Sequence, residues 1–186
     1  MEIPDIKKDK ARFLHILKEK AFFKEKVTLS SGKVSDFYID ARRVTLSPEG
    51  AYLCAKIILD MIKDEHIDAI GGPTLGADPI VGAVALLSFQ MEKPINTFII
   101  RKAPKPYGKQ QQIEGPLLKP GAHVVLIDDV ATSGQSIIQS IDTLKEMSFN
   151  VTKAVCIVDR KEGAKEALAK KNCQLISIFN SSDFLK

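Results

Sequence analysis

What this chain lacks narrows it before any motif is read. No apolar run approaches the ~20 residues of a membrane-crossing helix, and the start, with Lys7, Lys8, Asp9 and Lys10, has none of the apolar stretch of a signal peptide. A cytoplasmic location, with no membrane partner, is the expectation. Cysteine is scarce. Cys54, Cys156 and Cys173 are odd in number, have no C-x-x-C spacing and sit on apolar patterns, so they read as reduced core thiols without a metal role. The chain also lacks internal repeats and low-complexity linkers. Its net charge is +4, but there is no arginine-rich tract and no interleaving of aromatic with basic residues. No nucleic-acid partner is expected, because a substrate carrying several phosphate charges accounts for a basic site equally well. At 186 residues with 45% hydrophobic content, the chain is long enough for one core and too short for two full domains.

Hydrophobic periodicity alternates between helix and strand. Ile6, Phe13, Leu14, Leu17 and Ala21 mark an N-terminal helix, followed to Val44 by a turn-rich segment whose short alternating runs suit a small cap. Ser47, Pro48 and Glu49 then start a helix with Cys54, Ile57, Ile58, Met61 and Ile62 on its buried face. Strands are expected over residues 69–72, 95–100, 151–158 and 174–179, with a helix over 79–87. This order predicts an α/β fold: a single globular unit with a central parallel sheet flanked by helices, residues 1–46 forming the N-terminal helix and cap and 47–186 the core. Ligands then belong at the carboxyl ends of the strands.

The most informative stretch runs from Val124 to Ser136. Val124, Val125, Leu126 and Ile127 suit a strand buried on both faces, and Ile137, Ile138, Ile141 and Leu144 recur at helical spacing. Between them stand Asp128, Asp129, Val130, Ala131, Thr132, Ser133, Gly134, Gln135 and Ser136. Free N–H groups at such a strand-to-helix junction, aided by the helix dipole, can hold a dianionic phosphate. Thr132, Ser133 and Ser136 add hydroxyl donors, and Gly134 allows close backbone approach. The two carboxylates would repel that phosphate but suit, as acceptors, the 2′ and 3′ hydroxyls of a ribose that carries it. The segment reads as a ribose-5-phosphate site.

Other acidic strand ends need companions that are missing. A Walker B strand needs a G-x-x-x-x-G-K-[ST] loop, yet Gly32-Lys33 and Gly108-Lys109 have Val27 and Ala103 where the first glycine belongs. A receiver domain places its acidic pair near its start, and too little chain follows Asp129. The remaining bland reading is an acidic strand end that only caps the next helix.

Two further segments belong at the same sheet edge. Gly71-Gly72-Pro73-Thr74-Leu75-Gly76-Ala77-Asp78-Pro79 is a glycine-rich turn into a helix, where bare backbone can approach an anion. Residues 101–115 follow a buried strand and hold several cations, two prolines and three consecutive glutamines with little apolar content, so they should form a mobile loop that packs no core. Such a loop can close over a reacting sugar and exclude water.

The Val124 to Ser136 stretch resembles the phosphoribosyl pyrophosphate (PRPP) signature of the type I phosphoribosyltransferases. Arg101-Lys102-Ala103-Pro104-Lys105-Pro106-Tyr107-Gly108, with Ile113-Glu114-Gly115, is similar to the mobile loop of the orotate phosphoribosyltransferases within that family. The segment from Ser31 to Asp40 resembles their N-terminal segment, and Asp159-Arg160 their late D-R pair. The resemblance spans residues 27–160. It implies transfer of 5-phosphoribosyl from PRPP to orotate, giving orotidine 5′-monophosphate and pyrophosphate in pyrimidine synthesis, with Mg²⁺ held mainly through PRPP rather than by protein ligands. It also implies a homodimer in which loop 101–115 completes the partner's site.

The resemblance assigns roles residue by residue. Arg101, Lys102, Lys105 and Tyr107 would contact PRPP together with residues 128–136. Lys105, Asp128 and Asp129 would be catalytic, and Thr132 with Arg160 would hold orotate. A planar, bidentate cation suits the carboxylate that distinguishes orotate from uracil; the alternative for Arg160 is a surface ion pair with Asp159, Glu162 or Glu166. Tyr38 is expected over the base. The family commonly has lysine at Ser30 and at Gly76, histidine at Tyr107 and an acid at Ala103, so pyrophosphate neutralisation here leans on Mg²⁺ and the loop lysines. His15, His66 and His123 fall in no motif. Two alternatives share parts of the pattern: a phosphoribosyltransferase for another base, and a non-catalytic PRPP sensor that binds nucleic acid.

Overall fold

The computed structural model describes residues 5–28, 34–103 and 112–185. Lys105, Tyr107 and Ser30 lie outside them. Helix α1 (Ile6–Lys20) leads into four two-residue strands, β1 (Phe22–Phe23), β2 (Val27–Thr28), β3 (Val34–Ser35) and β4 (Tyr38–Ile39), which form two antiparallel ribbons, β1 with β4 and β2 with β3. The short helix α2 (Arg42–Thr45) precedes α3 (Pro48–Met61), whose Ser47 cap accepts from the Gly50 N–H with proline in the first turn. Then come β5 (Ala69–Pro73), α4 (Asp78–Gln90), β6 (Asn96–Ile100), β7 (Ile113–Glu114), β8 (His123–Ala131), α5 (Gln135–Glu146), β9 (Asn150–Asp159), α6 (Ala164–Ala169), β10 (Gln174–Asn180) and α7 (Ser181–Phe184).

The expected α/β architecture is present. The central sheet has the order β10-β9-β8-β5-β6-β7, parallel throughout except for the pairing of β6 with β7. That antiparallel edge departs from the sequence reading, which gave residues 101–115 no packing role. Ile113 pairs with Ile100 and packs against the core, so part of the segment is anchored to the sheet.

The pleat of β8 explains its apolar run. Val125 and Ile127 face one core, shared with Phe13, Leu17, Ile57 and Ile58 of α1 and α3, while Val124 and Leu126 face another, shared with Ile137, Ile141 and Leu144 of α5. The strand is buried on both faces. All three cysteines are buried and outside any disulfide, and burial raises their thiol pKa values, to about 11 for Cys173. Among the described residues no helix is long and apolar enough to cross a membrane.

Candidate active site

Along β8 the two acids root on alternate sides of the strand, yet their carboxylates stay within reach of one another, each with its Oδ1 toward Gly76. Asp128 follows the Val124 and Leu126 side, toward α5, where its Oδ2 accepts from Ser136 Oγ at 2.7 Å and its Oδ1 accepts from the Asp129 N–H at 2.9 Å. It is 6% exposed. Asp129 follows the Val125 and Ile127 side, is half-buried, and its Oδ1 accepts from the Val130 N–H at 2.8 Å. The sequence reading treated the two as an equivalent pair. The structure makes Asp129 the more accessible and Asp128 the more buried member of that pair.

The loop after them turns from the strand end into the start of α5. Val130, Thr132 and Ser133 are half-buried, Ala131 is buried, and Gln135 and Ser136 are exposed at the start of α5. Gly134 is the residue before the helix, at φ 78, and its left-handed backbone turns the chain without a side chain in the way. No acid occupies the first turn of α5. Helix geometry leaves its first N–H groups without carbonyl partners, so they are available to an anion.

The glycine-rich turn after β5 passes directly over the acids. A Cβ on Gly76 would lie 2.5 Å from Asp129 Oδ1 and 2.7 Å from Asp128 Oδ1, so a larger residue there requires the pair to shift. The Thr74 N–H donates to the Ile100 carbonyl at 3.0 Å, which ties this turn to the end of β6 where Arg101 and Lys102 emerge. A cavity of about 190 Å³ opens there, lined by Thr74, Arg101, Lys102, Ser136, Ser140 and Thr143 among others. Arg101 is paired at 3.3 Å with Glu114 on β7. Thus the signature, the glycine-rich turn and the first two cations of the loop meet at one sheet edge.

Arg160 reaches the same edge from the next strand. Its N–H donates to the Ala131 carbonyl at 2.9 Å, so it sits beside the residue that precedes Thr132. It is buried rather than surface-exposed, and it pairs with Glu162. The Tyr38 ring stacks on Phe23 across the β1 and β4 ribbon, at 6.5 Å between centroids. Phe37 lies beside Arg160, with the guanidinium carbon 4.2 Å from its ring centroid.

A family model described as a phosphoribosyl transferase domain matches residues 42–184. An orotate phosphoribosyltransferase of Aquifex aeolicus (strain VF5) is 40% identical over 176 residues, 95% of this chain and 93% of that protein. The chain belongs to the orotate phosphoribosyltransferase family. Among solved structures, the orotate phosphoribosyltransferase of Mycobacterium tuberculosis H37Rv in complex with Fe(III) dicitrate superposes with a TM-score of 0.81 at 30% identity, covering 95% of this chain and 98% of that one. The same enzyme in complex with PRPP gives 0.78 at 27% identity, covering 96% and 99%. Membership makes the chain a pentosyltransferase.

In this orotate phosphoribosyltransferase family member the acids carry an electrostatic gradient. Burial, and then the charge of Asp129, push the Asp128 carboxyl up to about 7 against the opposing hydrogen bond from Ser136. Burial also raises Asp129, opposed by the Val130 N–H and by the charge of Arg42. Arg42 is a residue the motif reading passed over. It pairs with Asp40 at 3.0 Å and helps line a cavity of about 550 Å³ with Asp40, Leu75 and Asp78. Its only sequence signal is its place two residues beyond the Ser31 to Asp40 segment. Among the described residues no group of three or more metal-ligating side chains gathers. The hard carboxylate oxygens of Asp129 and Asp128 suit Mg²⁺ nonetheless, as partners of an ion that takes its other ligands from phosphate oxygens and water.

Proposed function

We propose that this chain transfers the 5-phosphoribosyl group of PRPP to orotate, forming orotidine 5′-monophosphate and pyrophosphate in pyrimidine nucleotide synthesis. The observation that carries the reading is the juxtaposition at the end of β8: an accessible acid and an amide-rich helix start on one strand, with the buried cation Arg160 at the end of the next. The names of the relatives and the PRPP bound to the mycobacterial enzyme support it.

In this reading the amides of residues 131–136 and the hydroxyls of Thr132 and Ser133 hold the 5-phosphate, while the Val130 N–H and the Ser136 hydroxyl stay on Asp129 and Asp128 and shape the loop around it. Asp129 and Asp128 accept from the ribose hydroxyls, and Thr132 with Arg160 orients orotate. As the bond from ribose C1 to pyrophosphate weakens, the sugar gains positive charge and the leaving group negative charge. Asp129 stabilises the first, and Arg101, Lys102, Lys105 and the Tyr107 hydroxyl the second, one well-placed donor being worth about 3 kcal/mol. Mg²⁺, when bound, neutralises phosphate charge. The proposal includes a cytoplasmic homodimer whose loop 101–115 completes the partner's site, and a division into cap (1–46) and core (47–186).

The test is to incubate the protein with PRPP, Mg²⁺ and one base at a time and follow base absorbance. Loss of orotate alone supports this function. Loss of a purine instead assigns another base, and tight PRPP binding with no turnover assigns a sensor.

A further inference from the structure

Arg160 is held more elaborately than a substrate-binding arginine requires. Its backbone is pinned on both sides, by its own N–H on the Ala131 carbonyl at 2.9 Å and by Ser181 Oγ donating to its carbonyl at 3.1 Å. Its side chain is only 2% exposed. The Nε–H donates to Glu162 Oε1 at 2.8 Å, one terminal nitrogen donates to Ser35 Oγ at 2.7 Å, and both terminal nitrogens stand 3.5 Å from the Phe37 carbonyl oxygen. The guanidinium plane is thus loaded unevenly. Its inner corner has a full carboxylate at short range, while its outer fork faces only a hydroxyl and a distant carbonyl, both neutral.

A guanidinium fork is built to take two oxygens of one carboxylate in a plane. Here that edge is filled by the cap segment, with a single carbonyl oxygen midway between the two nitrogens. The ionic bond at Nε lies on another edge, so an incoming carboxylate need not displace Glu162. We infer that Glu162 is a positioning residue: it fixes the plane of Arg160 from the Nε side so that the terminal fork receives the carboxylate of the base, and Ser35 and Phe37 cap that fork until the base arrives. Phe37 stacked under the guanidinium completes the alignment. This inference rests on the reading of orotate as the base.

The experiment compares wild type, Glu162→Ala and Glu162→Gln by separate KM values for orotate and PRPP, with circular dichroism to confirm folding. Glu162→Gln keeps the side-chain volume and an acceptor oxygen, so it remains folded even where the alanine variant does not. The expected result is an orotate KM raised at least tenfold in Glu162→Ala and less in Glu162→Gln, with the PRPP KM changed less than twofold. An orotate KM within twofold of wild type in folded Glu162→Ala, or in Glu162→Gln where only that variant folds, overturns the inference, as does an equal rise in both KM values. If the wild type leaves orotate unconsumed, the proposed function fails as well; if it consumes orotate and the variants match it, only the role of Glu162 fails.

Discussion

Gly76 lies so close to Asp129 that a Cβ on it would stand 2.5 Å from a carboxylate oxygen, with an oxygen of Asp128 at 2.7 Å. The turn after β5 and the acids that end β8 therefore form one packed unit. Gly76→Ala must drive them apart. We expect kcat/KM for PRPP to fall at least tenfold, and initial rates at varied PRPP check it. Unchanged kinetics would mean that the turn and the acids work independently.

Ser136 donates to the more buried acid, and this bond opposes the upward shift of Asp128. In Ser136→Ala the carboxyl pKa should rise further above about 7, and stability should fall by roughly 1 kcal/mol through the lost hydrogen bond. The acid limb of the pH profile of kcat/KM for PRPP should then move to higher pH. A limb that stays in place removes Asp128 from PRPP binding.

The raised pKa of Asp128 also sets a pH dependence of stability. The folded protein holds this proton up to about pH 7, whereas an unfolded aspartate releases it near ~4. Between those values the folded state binds more protons, so this group's contribution to stability falls as pH rises through the window and levels off above it. The shift of about three units corresponds to at most ~4 kcal/mol. Asp128→Asn removes this contribution, so urea unfolding at pH 5, 6 and 8 should show the variant gaining stability relative to wild type as pH rises. Parallel curves would contradict the assignment.

Lys105, outside the described residues, carries a prediction from the family resemblance. Lys105→Ala should lower kcat by about a hundredfold, the worth of one donor to the departing pyrophosphate, while the PRPP dissociation constant changes far less. Calorimetry beside steady-state rates separates the two, and equal losses would make the lysine a binding residue only.

Much of this architecture was legible in particular residues. Val124 to Ile127 told of a strand buried on both faces, and Ile137, Ile141 and Leu144 told of the helix after Gly134. The residue motifs named the sheet edge where the structure brings the glycine-rich turn, the two acids and Arg101 together. Three features were less legible. The unequal burial of Asp128 and Asp129 depends on what packs around each, and two adjacent acids read more readily as an equivalent pair. Ile113 looked like a lone apolar residue in a polar loop, because its partner Ile100 is contributed by β6 across the intervening chain. Arg160 and Ser35 are 125 residues apart, and no local pattern signals that contact. The same distance hid Phe37, whose neighbour Tyr38 points instead into the β1 and β4 ribbon.

The central claim is that the 5-phosphoribosyl group passes from pyrophosphate to orotate at the end of β8. Phosphorus NMR of PRPP, Mg²⁺ and orotate with catalytic protein follows this directly. The account predicts that the PRPP resonances are replaced by those of pyrophosphate and orotidine 5′-monophosphate in equal amounts, only while orotate is present. PRPP that stays intact, or that yields ribose 5-phosphate and pyrophosphate regardless of orotate, would contradict it.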